Sequence, residues 1–133
     1  MFENVDHIGI AVRNLDESIR LYRDAFHLEP TLIYESAHTK AKIAFFSIGP
    51  VRIELIQPAD PQSVMAKFLE TKGEGIHHVA YGVKDVDESL RQLEESGVQL
   101  IDKKSRRVRE NERVAFLHPK STNGVLIELI QTE

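Results

Sequence analysis

The chain has 133 residues, of which 41% are hydrophobic and 29% charged, with a formal net charge of −4. This balance is typical of a soluble globular protein and argues against nonspecific binding of nucleic acid. The absence of cysteine excludes disulfides, thiolate metal sites and a cysteine nucleophile, so any metal must take nitrogen and oxygen ligands.

No run of about 18 apolar residues is present to span a bilayer. The first periodic segment begins almost directly after Met1, which leaves no room for a signal peptide. We therefore expect a cytoplasmic protein without a membrane partner.

Periodicity in the first half of the chain predicts one strand, one helix and three more strands. Residues 4 to 12 alternate and are rich in β-branched side chains, which favours a strand. The helix that follows has a cap candidate in Asn14 or Asp16. The three further strands are predicted near residues 30–36, 41–48 and 51–57.

The second half has the same predicted order of elements. A short helical stretch from Pro61 to Lys72 connects the halves, and the join lies near Gly73 to Gly75. A strand over 76–83 and a helix over 86–96 follow. The last three strands are predicted near residues 98–102, 112–117 and 124–131.

The two halves are internal repeats. The stretch "DHIGIAVRNLDESIRLY" at Asp6 matches "HHVAYGVKDVDESLRQL" at His77, and six of eighteen aligned pairs are identical from Val5 to Tyr22. The same alignment pairs "KIAFF" with "RVAFL" and, after a short insertion, "IELIQ" with "IELIQ". We predict a single α+β domain over 1–133. It has two tandem βαβββ modules, about 1–60 and 76–133, joined by a connector of about 61–75, and they form a cupped mixed sheet around a cleft.

Strand alternation predicts which side chains face that cleft. In each first strand one alternate set is apolar and suits packing under the helix. The other alternate set consists of a histidine, His7 or His78, and two small residues. It then faces away from the helix. In each "IELI" segment the flanking apolar residues face the helix, so Glu54 and Glu128 face the cleft. His77 is predicted to point away from His78.

Two imidazoles and two carboxylates form a neutral complex with one divalent cation. Four ligands of an octahedral ion leave two positions for water or substrate, which is a catalytic arrangement. Taken singly, such a histidine is more often a hydrogen-bonded structural residue, and such a glutamate lies more often on a solvated edge strand. Their recurrence at equivalent positions favours the metal site.

These motifs resemble the vicinal oxygen chelate superfamily, through "DHIGIAV", "RIELIQP", "GIHHVAYGV" and "GVLIELIQ". Within it the chain is most similar to the methylmalonyl-CoA epimerases, through "EGIHHVAYGVKDVDESL" and "FLHPKSTNGVLIEL". The resemblance implies a homodimer and one divalent metal ion, with cobalt favoured for activity and zinc, manganese, nickel or magnesium also suitable. The implied metal ligands are His7, Glu54, His78 and Glu128.

The resemblance also implies epimerisation of methylmalonyl-CoA by removal of the α-proton through a metal-stabilised enolate. Glu128 is the implied first base, and Glu54 is the candidate partner. Some epimerases carry a second glutamate on the preceding strand, where this chain has Ile43. His38 or Glu35 could take that role only if their loop folds inward.

Other residues and functions stay open. The basic segment Lys103 to Arg113 could contact coenzyme A phosphates, or it could be a solvated hairpin. Lys120 and Ser121 could approach a ligand. A glyoxalase I type isomerase (lactoylglutathione lyase) uses a similar ligand set, whereas a drug-binding resistance protein would not need it. An extradiol dioxygenase normally has two histidines, one glutamate and a longer chain.

Overall fold

A computed structural model describes all of residues 1–133. It contains three α-helices and eight strands of a mixed sheet, which confirms the α+β class and the βαβββ order of each half. None of the helices is long and apolar enough to cross a membrane. The elements are β1 (Asn4–Ala11), α1 (Leu15–Asp24), β2 (Leu32–Ser36), β3 (Ala41–Ile48), β4 (Val51–Pro58), α2 (Val64–Lys72), β5 (Gly75–Gly82), α3 (Val86–Glu95), β6 (Arg106–Arg109), β7 (Glu112–Leu117) and β8 (Ile127–Thr132).

The chain divides into two compact units. The first unit is His7–His77, and the second unit is Met1–Asp6 together with His78–Glu133. In the first unit the strands are ordered β2-β3-β4-β1. The β1–β4 pair is parallel, and the β3–β4 and β2–β3 pairs are antiparallel.

The second unit repeats this pattern with the order β5-β8-β7-β6. The β5–β8 pair is parallel and the other two pairs are antiparallel. The N-terminal residues join this unit. The backbone N–H of Glu3 donates to the carbonyl of Gly82 at 2.8 Å, and the Phe2 ring stacks on Tyr81 with 4.7 Å between centroids.

In each unit one helix, α1 or α3, packs on the face of the strands that carries the larger buried cluster. Apolar residues recur at helical spacing in α1 and α3, and acidic residues fill the first turns, where they favour the helix dipole. The buried cluster of the first unit consists of Val12, Leu15, Ile19, Ala44, Phe46 and Leu55. The matching cluster of the second unit consists of Val83, Val86, Leu90, Ala115, Leu117 and Leu129.

The glutamine of each "IELIQ" segment fixes the start of the helix. Gln57 Oε1 accepts from the backbone N–H of Leu15 at 2.7 Å, and Gln131 Oε1 accepts from that of Val86 at 3.0 Å. Both N–H groups lie at helix N-termini and have no intrahelical acceptor. The repeated motif therefore positions each helix as well as carrying a glutamate.

The predicted strand near 98–102 is wrong. Those residues make only an isolated bridge between Leu100 and Leu117, whereas β6 lies further on, inside the basic segment. The Asp102 carboxylate accepts the backbone N–H of Phe116 at 2.8 Å. In a regular sheet the Phe116 N–H would donate to a carbonyl of the neighbouring strand. Here the Asp102 side chain is the acceptor instead, so the strand pairing does not continue. The remaining strands and the connector helix agree with the predictions to within a few residues at their ends.

Candidate metal centre

The face of the first unit that lies away from α1 carries a histidine–glutamate pair. His7 is 2% exposed and Glu54 is 8% exposed. Gly9, two residues after His7, is the parallel partner of Glu54, so no side chain separates the two groups on that strand. His7 Nε2 lies 3.5 Å from Glu54 Oε1.

An equivalent pair lies in the second unit. His78 is 4% exposed and Glu128 is 8% exposed. Ala80, which follows His78 on the same face, is the parallel partner of Glu128. His78 Nε2 lies 3.7 Å from Glu128 Oε2. Each unit thus holds a buried imidazole beside a buried carboxylate, on the face predicted from strand alternation.

A phenylalanine forms a wall of each pair. Phe45 is the antiparallel partner of Glu54 and meets the His7 ring edge-on, with 5.7 Å between centroids. Phe116 is likewise the partner of Glu128 and meets the His78 ring edge-on at 5.9 Å. No role is predicted for these rings from strand alternation, although "KIAFF" and "RVAFL" place a phenylalanine at the same position of each repeat.

The donor set suits a divalent cation. The buried histidine and glutamate of each unit offer the nitrogen and oxygen donors of a metal site. Neutral imidazole nitrogen and carboxylate oxygen are the donors that zinc, cobalt, nickel and manganese accept in proteins. Burial of a carboxylate is costly unless a cation or hydrogen bonds offset its charge, and a bound divalent ion provides that compensation.

The other histidine of "HH" packs elsewhere. The His77 ring meets Phe68 of α2 edge-on, with 4.9 Å between centroids, whereas His78 is turned toward Glu128. Neighbouring residues of β5 point to opposite faces, which explains why adjacent histidines have different surroundings.

The candidates for a further base in the first unit do not lie beside Glu54. Ile43 is 3% exposed and belongs to a buried apolar cluster. Glu35 and His38 are exposed, and His38 lies in the turn between β2 and β3. Glu35 is the cross-strand partner of Lys42, so it points away from the face that carries Ile43.

The basic segment is a charged hairpin formed by β6 and β7. Arg106 pairs with Asp102 at 3.0 Å, Arg107 with Glu133 at 3.2 Å and Arg109 with Glu112 at 3.5 Å. These acidic partners neutralise the charge of three of the arginines that could contact coenzyme A phosphates. A short, charged edge strand also opposes pairing with other chains.

A hydrogen-bond network ties this hairpin to α3. The Asp87 carboxylate accepts from the Ser105 backbone N–H at 2.7 Å and from its hydroxyl at 2.9 Å. These bonds hold the pKa of Asp87 below its ordinary value, with the backbone N–H as the main cause. Arg113 Nε donates to the same Ser105 hydroxyl oxygen at 3.0 Å.

The two polar candidates near residue 120 lie at a 3₁₀ turn from Pro119 to Ser121. The Ser121 hydroxyl oxygen accepts from the backbone N–H of Gln99 at 2.8 Å, which gives it a structural role. The Lys120 backbone N–H donates to His118 Nδ1 at 3.1 Å.

Comparison with protein families gives a match over residues 6–116 to the model described as the glyoxalase/bleomycin resistance protein/dioxygenase superfamily. Among curated proteins, an uncharacterized Bacillus subtilis protein, YqjC, is 38% identical over 96% of this chain and 91% of its own length. The ethylmalonyl-CoA/methylmalonyl-CoA epimerase of Cereibacter sphaeroides is 31% identical over 98% of this chain and 99% of its own length.

Solved structures include close neighbours of the fold. A methylmalonyl-CoA epimerase in complex with methylmalonyl-CoA and NH4+ superposes with a TM-score of 0.93 at 32% sequence identity. The match covers 99% of this chain and 96% of that one. The fold is therefore that of solved acyl-CoA epimerases.

Proposed function

Since the chain belongs to the glyoxalase/bleomycin resistance protein/dioxygenase superfamily, we propose that it is a metal-dependent epimerase that interconverts the stereoisomers of methylmalonyl-CoA. The observation that carries the proposal is the buried histidine–glutamate pair in each unit. The substrate is suggested by the epimerases among its relatives.

We assign His7, Glu54, His78 and Glu128 as the residues that hold one divalent ion. Their two neutral imidazoles and two carboxylates balance its charge, and an octahedral ion would keep two positions for substrate oxygens. Cobalt is the ion we expect to support activity, and the same donors suit zinc, manganese, nickel and magnesium. When bound, the ion supplies positive charge that offsets the negative charge gained by the substrate oxygens as the α-proton leaves.

The chain's own glutamates then move the proton. Inversion at the α-carbon requires one base to remove a proton from one side and another acid to return a proton on the opposite side. We assign Glu128 as the first base and Glu54 as its partner. Each glutamate is fixed by its strand and has a phenylalanine as direct cross-strand neighbour, an arrangement that restricts its motion and limits access of water.

The surroundings of Ile43 support the choice of Glu54. A buried isoleucine cannot transfer a proton, Glu35 points to the opposite face of the strands, and the exposed His38 lies in the turn between β2 and β3. Among the side chains that β2, β3 and β4 place on the face of Glu54, that glutamate is the only carboxylate. The first unit therefore offers one carboxylate for proton transfer.

A glyoxalase I type isomerase is the second candidate. It is favoured by the two-histidine, two-glutamate donor set, because that chemistry also uses such a site. We further propose a single domain over 1–133, a homodimer and a cytoplasmic location, as the sequence predicted.

The decisive test is proton exchange and epimerisation of methylmalonyl-CoA in deuterated water. Metal-stripped protein, cobalt-reloaded protein and a cobalt-treated His78→Ala variant would be compared, with metal content measured for each. We expect α-deuterium incorporation and inversion only in the reloaded wild-type protein. Cobalt bound without exchange would overturn the epimerase proposal, and turnover of a hemithioacetal by the same sample would then establish the isomerase.

A further inference from the structure

An arginine lies on the same face of the first unit as the His7–Glu54 pair. Arg52 precedes Glu54 by two residues on β4, so both side chains point to one face, about 7 Å apart along the strand. In the strand register, Arg52 is the parallel partner of His7. The guanidinium carbon of Arg52 lies 4.3 Å from the centroid of the Phe45 ring.

The Phe45 ring organises this group. One face of the ring carries the Arg52 guanidinium, and the His7 imidazole meets the ring edge-on at 5.7 Å between centroids. A cation over an aromatic face is attracted by the ring quadrupole. Stacking also restricts the long arginine side chain, so less conformational entropy remains to be lost when it binds an anion.

Arg52 is the only lysine or arginine on this face of the four strands of the first unit. Apart from Glu54, the face consists largely of a buried apolar cluster of Ala41, Ile43, Phe45 and Ile56. Leu32, Tyr34 and Met65 pack against this cluster. A guanidinium presents five N–H donors in a planar fork that matches the two oxygens of a carboxylate. An apolar border strengthens such a charge-assisted pair because it excludes water.

We propose that Arg52 binds the free carboxylate of the substrate and thereby selects malonyl-type acyl thioesters over those that lack a carboxylate. This inference rests on the proposed function, since it concerns the substrate of the same site. It makes Arg52 a specificity-determining residue, distinct from the metal ligands and from the bases.

The test measures binding rather than turnover. Calorimetric affinities of cobalt-loaded wild-type and Arg52→Met proteins would be compared for methylmalonyl-CoA and for propionyl-CoA, which differ by the carboxylate alone. The two proteins and two ligands form a thermodynamic cycle. The difference between the affinity losses for the two ligands reports the contact between Arg52 and the carboxylate, because other contacts cancel. We expect Arg52→Met to lose about 10- to 100-fold in affinity for methylmalonyl-CoA and less than about threefold for propionyl-CoA.

Lys42→Met is the matched control. Lys42 lies on the neighbouring strand, is exposed, and points to the opposite face, being the partner of Gln57 rather than of Glu54. Its replacement removes the same charge and should leave both affinities unchanged. Arg52→Lys should give an intermediate loss for methylmalonyl-CoA, since it keeps the charge but not the planar fork.

The outcomes separate the inference from the proposed function. An equal loss for both ligands, or no loss for either, overturns the role of Arg52 while the epimerase proposal stands. Wild-type protein that does not prefer methylmalonyl-CoA overturns the role of Arg52 in selection, whereas the epimerase proposal is overturned only by the absence of α-proton exchange. A carboxylate-specific loss in a protein that catalyses no α-proton exchange supports Arg52 and overturns the epimerase.

Discussion

The Nε2 atom of His78 lies 3.7 Å from Oε2 of Glu128 in the second unit. The adjacent His77 instead packs edge-on against Phe68. Two histidines that are neighbours in sequence thus have different surroundings, because successive residues of β5 point to opposite faces.

The first prediction concerns metal retention by these two histidines. His78→Ala removes a proposed ligand and should abolish retention of a stoichiometric divalent ion after dialysis. His77→Ala should retain the ion as the wild type does. Metal content by mass spectrometry measures both, and equal loss in the two variants would contradict the proposed ligand set.

The second prediction separates the two proposed roles of Glu54. In Glu54→Gln an amide oxygen replaces the carboxylate as a ligand, so we expect the metal content to stay near that of the wild type. The amide is not a base, and epimerisation should fall by about 100- to 10,000-fold. Deuterium exchange from the epimer that Glu128 deprotonates should persist, which a stereospecific exchange assay can measure.

Two outcomes would contradict this assignment. Full epimerisation by Glu54→Gln would show that another group transfers the second proton. Loss of the metal together with both exchange reactions would show that the variant reports on metal binding alone.

The third prediction concerns the apolar cluster beside Glu54. Ile43 is 3% exposed, so Ile43→Ala should leave a cavity and lower the free energy of unfolding by about 2–5 kcal/mol. Ile33 is 55% exposed, so Ile33→Ala should change the free energy of unfolding by less than about 0.5 kcal/mol. Urea unfolding measures both, and equal effects would show that Ile43 is not packed as described.

The fourth prediction is a pH dependence at the α3–hairpin contact. The Ser105 backbone N–H lowers the pKa of Asp87, so the folded state favours the carboxylate. The resulting stabilisation is present above the ordinary aspartate pKa and is lost as the pH falls through the lowered value. The stability difference between wild type and Asp87→Asn should therefore be constant at neutral pH and shrink over the range below about pH 5.

Urea unfolding of the two proteins across this range provides the measurement. Ser105→Ala removes the hydroxyl but keeps the backbone donor, so it should preserve most of the pH dependence. A difference that does not vary with pH would mean that the Asp87 charge makes no contribution to folding.

The sequence by itself determined which face each proposed ligand occupies. The period of two along a strand is a local property, and the apolar set in "HIGIAV" and "IELI" leaves only one arrangement that buries it under a helix. The internal repeat then related His7 to His78 and Glu54 to Glu128 before any contact was known. The α+β class followed from the same two patterns.

Only the tertiary structure decided where the edge strand of the second unit lies and what surrounds Phe45. Pairing with β7 decides that the strand lies at Arg106–Arg109 and that Leu100 forms only an isolated bridge. The Asp102 side chain accepts one backbone N–H of β7 that would otherwise be available to a strand. The stacking of Arg52 on Phe45 requires the antiparallel register of β3 and β4. Contacts of this kind arise from pairing between separate strands, and no periodicity within either strand encodes them.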